Sequence, residues 1–195
     1  NLTRFELFYP EKREFFIDNA DLFTDLGSRS TKPMFTRRIG IAKDTTTNQY
    51  VQNPIIYGAK LAGKLNEGLR IGILNMQTAR LKSSGIPSFN YGMAVLEKNI
   101  LTNSKILAFL VNKEAIFNPA EDSYSINLNH FNRVFGFESK IKSKDTRWNS
   151  ELYYHQSLEN QKHKDRSSYG ANFTYKSPKF HYAFSESNTI YGKIG

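Results

Sequence analysis

Residues 55–74, "IIYGAKLAGKLNEGLRIGIL", decide how this chain folds. Two apolar runs, each interrupted at every second position by a glycine or a cation, flank Asn66-Glu67-Gly68. Alternation with a period of two marks a strand whose faces meet different surroundings. A three-residue loop with Gly68 in the left-handed conformation closes a hairpin here. It sets Leu65 opposite Leu69 and Leu61 opposite Ile73 on one face, and Lys64 opposite Arg70 on the other. Odd positions from 55 to 73 then face an apolar phase, and Gly58, Lys60, Ala62, Lys64, Arg70 and Gly72 face water.

The same texture continues to the end of the chain. Strands are expected over about 55–65, 69–81, 90–101, 106–117, 124–143, 148–158, 167–177 and 180–192. The connections alternate in length: "NEG", "SSGIPS", "NS", "NPAEDS", "DT", "NQKHKD", "PK". A meander with one short-turn rim and one long-loop rim is the pattern of a transmembrane β-barrel. With Asp145-Thr146 as a turn, Phe137 faces Tyr154 and Lys140 faces Glu151 on the opposite side. With Pro178-Lys179 as a turn, Tyr175 faces Tyr182, Phe173 faces Phe184, and Lys176 faces His181. Three hairpins keep their sides independently, which a one-residue slip would undo. Between 90 and 117 the fit is poorer: "LEKNIL" calls for a bulge and "ILAFLV" is apolar on both sides. One face collects Tyr91, Phe137, Tyr154, Tyr169, Phe173, Tyr175, Tyr182 and Phe184, several near strand ends as in an interfacial belt. The same aromatics would form the core of a soluble antiparallel sheet, the competing reading.

Composition is compatible with both readings. The 195 residues are 39% hydrophobic and 23% charged, with a mean hydropathy of −0.55, and alternating barrel strands keep such averages low. No apolar run is long enough for a transmembrane helix. Cysteine is absent, which fits an envelope compartment. The charge of +9 and pI near 9.6 raise the question of nucleic acid, but the hairpins segregate aromatics from lysines, so stacking and phosphate contacts would not share a face. The expected partner is a lipid bilayer, not nucleic acid. The chain starts at Asn1 without a signal-peptide pattern and stops within a strand-like run, so it reads as part of a longer protein.

Residues 1–54 differ from 55–195. "NLTRFELFY" alternates as a short strand, "PEKREFFIDNADLF" opens like a short helix or turn with Pro10 and Glu11, and the rest to residue 54 is expected as loop. Two domains of function follow: a strand/turn segment at 1–54 that plugs a barrel or rims it, and barrel strands at 55–195.

The stretches "LTRFELFYPEKREFFIDNADLF", "FTRRIG", "PIIYGAKLAGKL" with "IGILNMQTA", and "SKDTRW" with "YYHQS" resemble a family of outer-membrane β-barrel domains from Bacteroidota, a domain of unknown function. In that family the barrel usually follows a domain similar to family-nine carbohydrate-binding modules. The resemblance covers nearly all of the chain and implies an all-β, antiparallel, up-and-down transmembrane barrel in the bacterial outer membrane. Family members are longer at both ends, so the chain looks like the first part of the barrel. The resemblance carries no catalytic residue and no cofactor.

The acidic series Glu6, Glu11, Glu14, Asp18, Asp21 and Asp25 matches no calcium-loop spacing, and cations lie among its members, so solvated or ion-paired structural roles are expected. His130, His155, His163 and His181 lack metal-ligand spacing. There is no phosphate loop, nucleophile elbow or thiol, hence no expected enzyme, cofactor or metal. The lumen is expected to be lined by Lys60, Lys64, Arg70, Glu138, Lys140, Lys142, Glu151 and Lys176. Arg37, Arg38, Glu11, Lys12 and Arg13 are the plug candidates, with arginines paired to wall carboxylates such as Glu138 or Glu151. Two functions fit: a channel or uptake component for glycan-related solutes, or a non-conducting anchor or scaffold joined to other outer-membrane or surface proteins.

Overall fold

A computed structural model of the chain describes residues 13–27, 32–34, 36–44, 47–116, 131–159 and 166–189. Eight strands form one antiparallel meander in chain order: β3 (Ile55–Asn66), β4 (Leu69–Thr78), β5 (Ser88–Ile100), β6 (Ser104–Ile116), β7 (Phe131–Lys142), β8 (Trp148–Glu159), β9 (Arg166–Lys176) and β10 (His181–Thr189). The sheet is open. Its edges, β3 and β10, each have one strand neighbour and no second one among the described residues. Before it lie two short helices, α1 (Glu14–Ile17) and α2 (Ala20–Thr24), a 3-10 turn at Thr36–Arg38, and a small hairpin of β1 (Ile41–Lys43) with β2 (Tyr50–Gln52). That hairpin falls where loop was expected, because three-residue strands are too short to show alternation.

The expected strand at "NLTRFELFY" and the residues Glu6, Pro10, Glu11 and Lys12 lie outside the described residues, as do His130 and His163. The eight expected strands are present among the described residues, with the comparable ends displaced by no more than a few residues; the expected stretches 117, 124–130 and 190–192 lie outside the described residues. Leu61 pairs with Ile73, Lys64 with Arg70, Phe137 with Tyr154, Lys140 with Glu151, Tyr175 with Tyr182, Phe173 with Phe184, and Lys176 with His181.

Three details differ. Asn66 pairs with Leu69, with an irregularity after Lys64, so Leu65 is skipped and does not face Leu69. The turn is held by the Gly68 amide donating to Asn66 Oδ1 at 3.0 Å, and the left-handed glycines are Gly27, Gly40 and Gly85 rather than Gly68. The β5–β6 hairpin needs no bulge: its ladder runs unbroken from Ser88–Ile116 to Ile100–Ser104 around a Leu101-Thr102-Asn103 turn. Leu101 there takes φ of 54°, a conformation that nothing in its side chain announces.

The core lies on the lysine-bearing face. Leu74, Met76, Met93, Val95, Leu107, Phe109 and Val134 from the sheet pack with Phe16, Leu22, Phe23, Leu26 and Ile39 from the N-terminal segment. The face expected to meet water is therefore covered, because β4, β5 and β6 carry large apolar residues on it. Tyr91 sits on this covered side, opposite Lys113 and packed against the core, not among the outward aromatics. The other expected aromatics do share the open face. There Leu61, Phe137, Tyr182 and Phe184 are 63%, 51%, 60% and 46% exposed, and Leu96, Leu110, Phe135, Leu152, Tyr154 and Tyr169 join them.

Candidate functional site

Residues 13–27 run across the covered face from β3 to β7, and charged side chains of the sheet hold them there. On β3, Lys60 Nζ donates to the carbonyls of Phe15 and Asp18, the latter at 2.6 Å, and lies 3.8 Å from the Asp18 carboxylate. On β4, Arg70 donates to Asp21 Oδ2 at 2.8 Å. On β7, Lys140 reaches Asp25 at 3.3 Å, and Glu138 Oε1 accepts from the Gly27 amide at 2.6 Å. The contacts thus fall at both ends of the segment and in its middle.

Between the charges the fit is steric. Gly72 lies under α2: a Cβ there would come within 2.7 Å of the Phe23 ring and 2.8 Å of Leu22. Gly136 makes the same room for Phe109 and His155, at 2.5 Å and 2.6 Å. An apolar wedge in glycine seats, ringed by ion pairs, fixes the segment in one position.

Two buried carboxylates anchor the arrangement. Glu97, 3% exposed, accepts from Arg70 at 3.0 Å and Lys105 at 2.8 Å, so Arg70 joins β5 to α2. Glu138, 2% exposed, bonds His155 Nε2 at 2.9 Å as well as Gly27. His155 is 1% exposed, stacked edgewise on Phe109, and its Nδ1 has no partner among the described residues. The Nε2–H tautomer satisfies Glu138. Hydrogen bonding from Arg70, reinforced by its charge, holds the Asp21 carboxyl below its ordinary pKa of 3.8 against the opposing effect of burial.

The expected lumen residues Lys60, Lys64, Arg70, Glu138, Lys140, Lys142, Glu151 and Lys176 share the covered face by register. The structure brings Lys60, Arg70, Glu138 and Lys140 together against the segment. Lys142 and Lys176 stand apart and line, with Thr146, Arg147, Asn149 and Thr174, a cleft of about 250 Å³ near the short turns. Of the plug candidates, Arg13 bonds within its own segment, to the carbonyls of Ile39 and Thr36 at 3.0 and 2.9 Å. Arg38 is exposed. Among the described residues, the wall supplies the cations and the segment the carboxylates of the ion pairs between them, while Glu11, Lys12 and the Arg37 side chain lie outside the described residues.

Asp18, Asp21 and Asp25 carry these pairs, as the ion-paired reading of the acidic series held. Their spacing of three and four residues, which sets side chains on one side of a helical segment, was the available signal for a shared partner surface. His155 was missed. It lies diagonally across from Glu138 on the neighbouring strand, and only the register makes that visible.

The fold and the site together define an open eight-stranded up-and-down sheet, with one face covered from β3 to β7 by its own N-terminal segment and the other face apolar and, among the described residues, uncovered. The chain belongs to the family described as Domain of unknown function (DUF5916), whose family model matches residues 1–189. No curated protein and no solved structure matches it.

Proposed function

We propose that this chain is the wall of an outer-membrane β-barrel whose open face contacts lipid and whose lumen side is plugged by residues 13–27. The observation that carries the reading is the open face itself. Large apolar side chains cover it strand after strand, an extent that marks a surface with an apolar partner. Barrel walls alternate in this way, with a lipid-facing apolar band and an interior that accepts charge. No described helix is long and apolar enough to cross a membrane, so strands are the spanning elements of this proposal.

The plug favours the non-conducting anchor over the open channel. Lys60, Arg70 and Lys140, which would make a lumen attract anions, are engaged by Asp18, Asp21 and Asp25. Uptake of a glycan-related solute would require the segment to leave its seat. Planar bilayers holding the full chain test this: the wild type should pass no steady current. Asp18, Asp21 and Asp25 changed together to Asn should give current bursts that prefer anions. Steady current through the wild type would overturn the plug and restore the channel reading.

A further inference from the structure

Apart from Lys98, Ser139 and Ser150, which lie nearer the short turns, the polar residues of the open face are not scattered. They gather at the long-loop end, where Asn75 and Asn90 bond each other through both amides at 3.0 and 3.2 Å, Gln77 donates to Ser88 at 3.0 Å, and Arg133 reaches Asn112 at 3.0 Å and Glu114 at 3.7 Å. The line where they give way to apolar residues can be followed from strand to strand. On β4 it falls between Asn75 and Ile73, on β6 between Asn112 and Leu110, and on β7 between Arg133 and Phe135. On β8 it falls between Gln156 and Tyr154, on β9 between Ser167 and Tyr169, and on β10 between Glu186 and Phe184. Tyr57 on β3, opposite Gln77, Ile116 and Leu158 are exposed apolar residues beyond the line.

Register shows that this line is oblique. Ile73 aligns through Ala94 and Leu110 with Phe135 on β7. Phe184 aligns through Phe173 and Ser150 with Ile141 on the same strand. The boundary stays on one register row from β4 through β6 to β7 and shifts two residues at Tyr154 and Tyr169, which align with Phe137. It reaches the row of Ile141 at Phe184, so it moves six residues, from 135 to 141, over the six strand steps from β4 to β10. Averaged over those six steps, at about 3.3 Å per residue and about 4.8 Å between strands, the slope is about 35°. Barrel closure demands a strand tilt of this size.

The opposite margin moves in the same direction. On β5 the exposed Lys98 already lies opposite Leu69, whereas β9 and β10 continue apolar to Tyr175 and Tyr182, and β8 ends, past Ser150, on Trp148. Trp148 packs on Tyr175 and Phe173, with centroids 4.4 and 5.2 Å apart, and Tyr182 pairs with Tyr175 in register, where a membrane interface belt would sit.

We infer that the bilayer's hydrocarbon edge on the long-loop side follows this oblique line. The strands cross it tilted by about 35°, as a sector of a closed barrel does, and the Asn75, Asn90, Asn112 and Arg133 patch stands in the headgroup or water layer. This rests on the membrane reading above. A flat sheet lying against a protein layer gives no reason for Ile73 and Phe184 to share a depth, since they are far from sharing a register.

Single cysteines, placed in a chain that has none, test the line. A fluorophore at Ile73→Cys, Phe184→Cys or Ser167→Cys is reconstituted in liposomes whose acyl chains carry bromine near the headgroup. Ser167 shares the register row of Ile73 through Ala94, Leu110, Phe135 and Gln156. The inference expects equal quenching at 73 and 184 and loss of quenching at 167. Equal quenching at 73 and 167, with 184 different, would overturn the tilt and leave the membrane reading intact. No quenching at any of the three, in a protein whose circular dichroism is that of the wild type, would overturn the membrane reading and the inference with it.

Discussion

Gly72 shows how far one hydrogen atom in place of a methyl group determines the site. An alanine there would drive its Cβ into Phe23 and Leu22 at 2.7 and 2.8 Å, so Gly72→Ala should cost about 1–3 kcal/mol as overpacking does. Hydrogen exchange should locate that loss in residues 13–27 before the sheet. Glu138 is held by two donors, and Glu138→Ala leaves the Gly27 amide and His155 unpaired, at about 1–3 kcal/mol for each buried group. Leu101 is the reverse case: it is 80% exposed with φ of 54°, so Leu101→Gly should raise stability by about 1 kcal/mol in chemical denaturation. Sequence alone could not find Leu101, because an aliphatic side chain carries no sign of left-handed backbone. It could not find Glu138–His155 either, since the pair meets only across a ladder.

The segment and the sheet were legible to different degrees. Turn residues and alternation together set three hairpins correctly, because Asp145-Thr146 and Pro178-Lys179 tie each register to a fixed point near the residues concerned. Tyr91 was placed on the wrong face because its hairpin closes ten residues away, at a turn without turn chemistry. Alternation also says that two faces differ but not what covers either one. Large apolar residues on both sides of β6 were the hint that the lysine face is packed. The clamp itself depends on pH in a defined direction. Asp21 is depressed in the folded state, so its contribution is complete above its ordinary value of 3.8 and is lost as pH falls through the lower folded value. Acidification below pH 3.8 should therefore expose residues 13–27 to exchange, and Asp21→Asn should abolish that component of the pH dependence.

Taken whole, the described residues form a packed interior on one side of the eight-stranded sheet and leave an apolar surface uncovered on the other. Both edges, β3 and β10, remain open among the described residues. A lipid-facing barrel wall accounts for the bare face, the oblique polar margin and the aromatic cluster at the short-turn end in one arrangement. It also predicts unequal costs for neighbours on one strand: Phe137→Arg should lower stability in bilayers by about 2–4 kcal/mol if it lies near the midplane. The most direct test is collision accessibility of spin labels at Leu110, Phe137 and Tyr154 in liposomes holding the full chain. The lipid-facing account predicts that dissolved oxygen relaxes all three far more than a water-soluble nickel chelate does. Chelate relaxation exceeding that of oxygen at these positions would contradict it, and the open face would then have to be covered by protein or water.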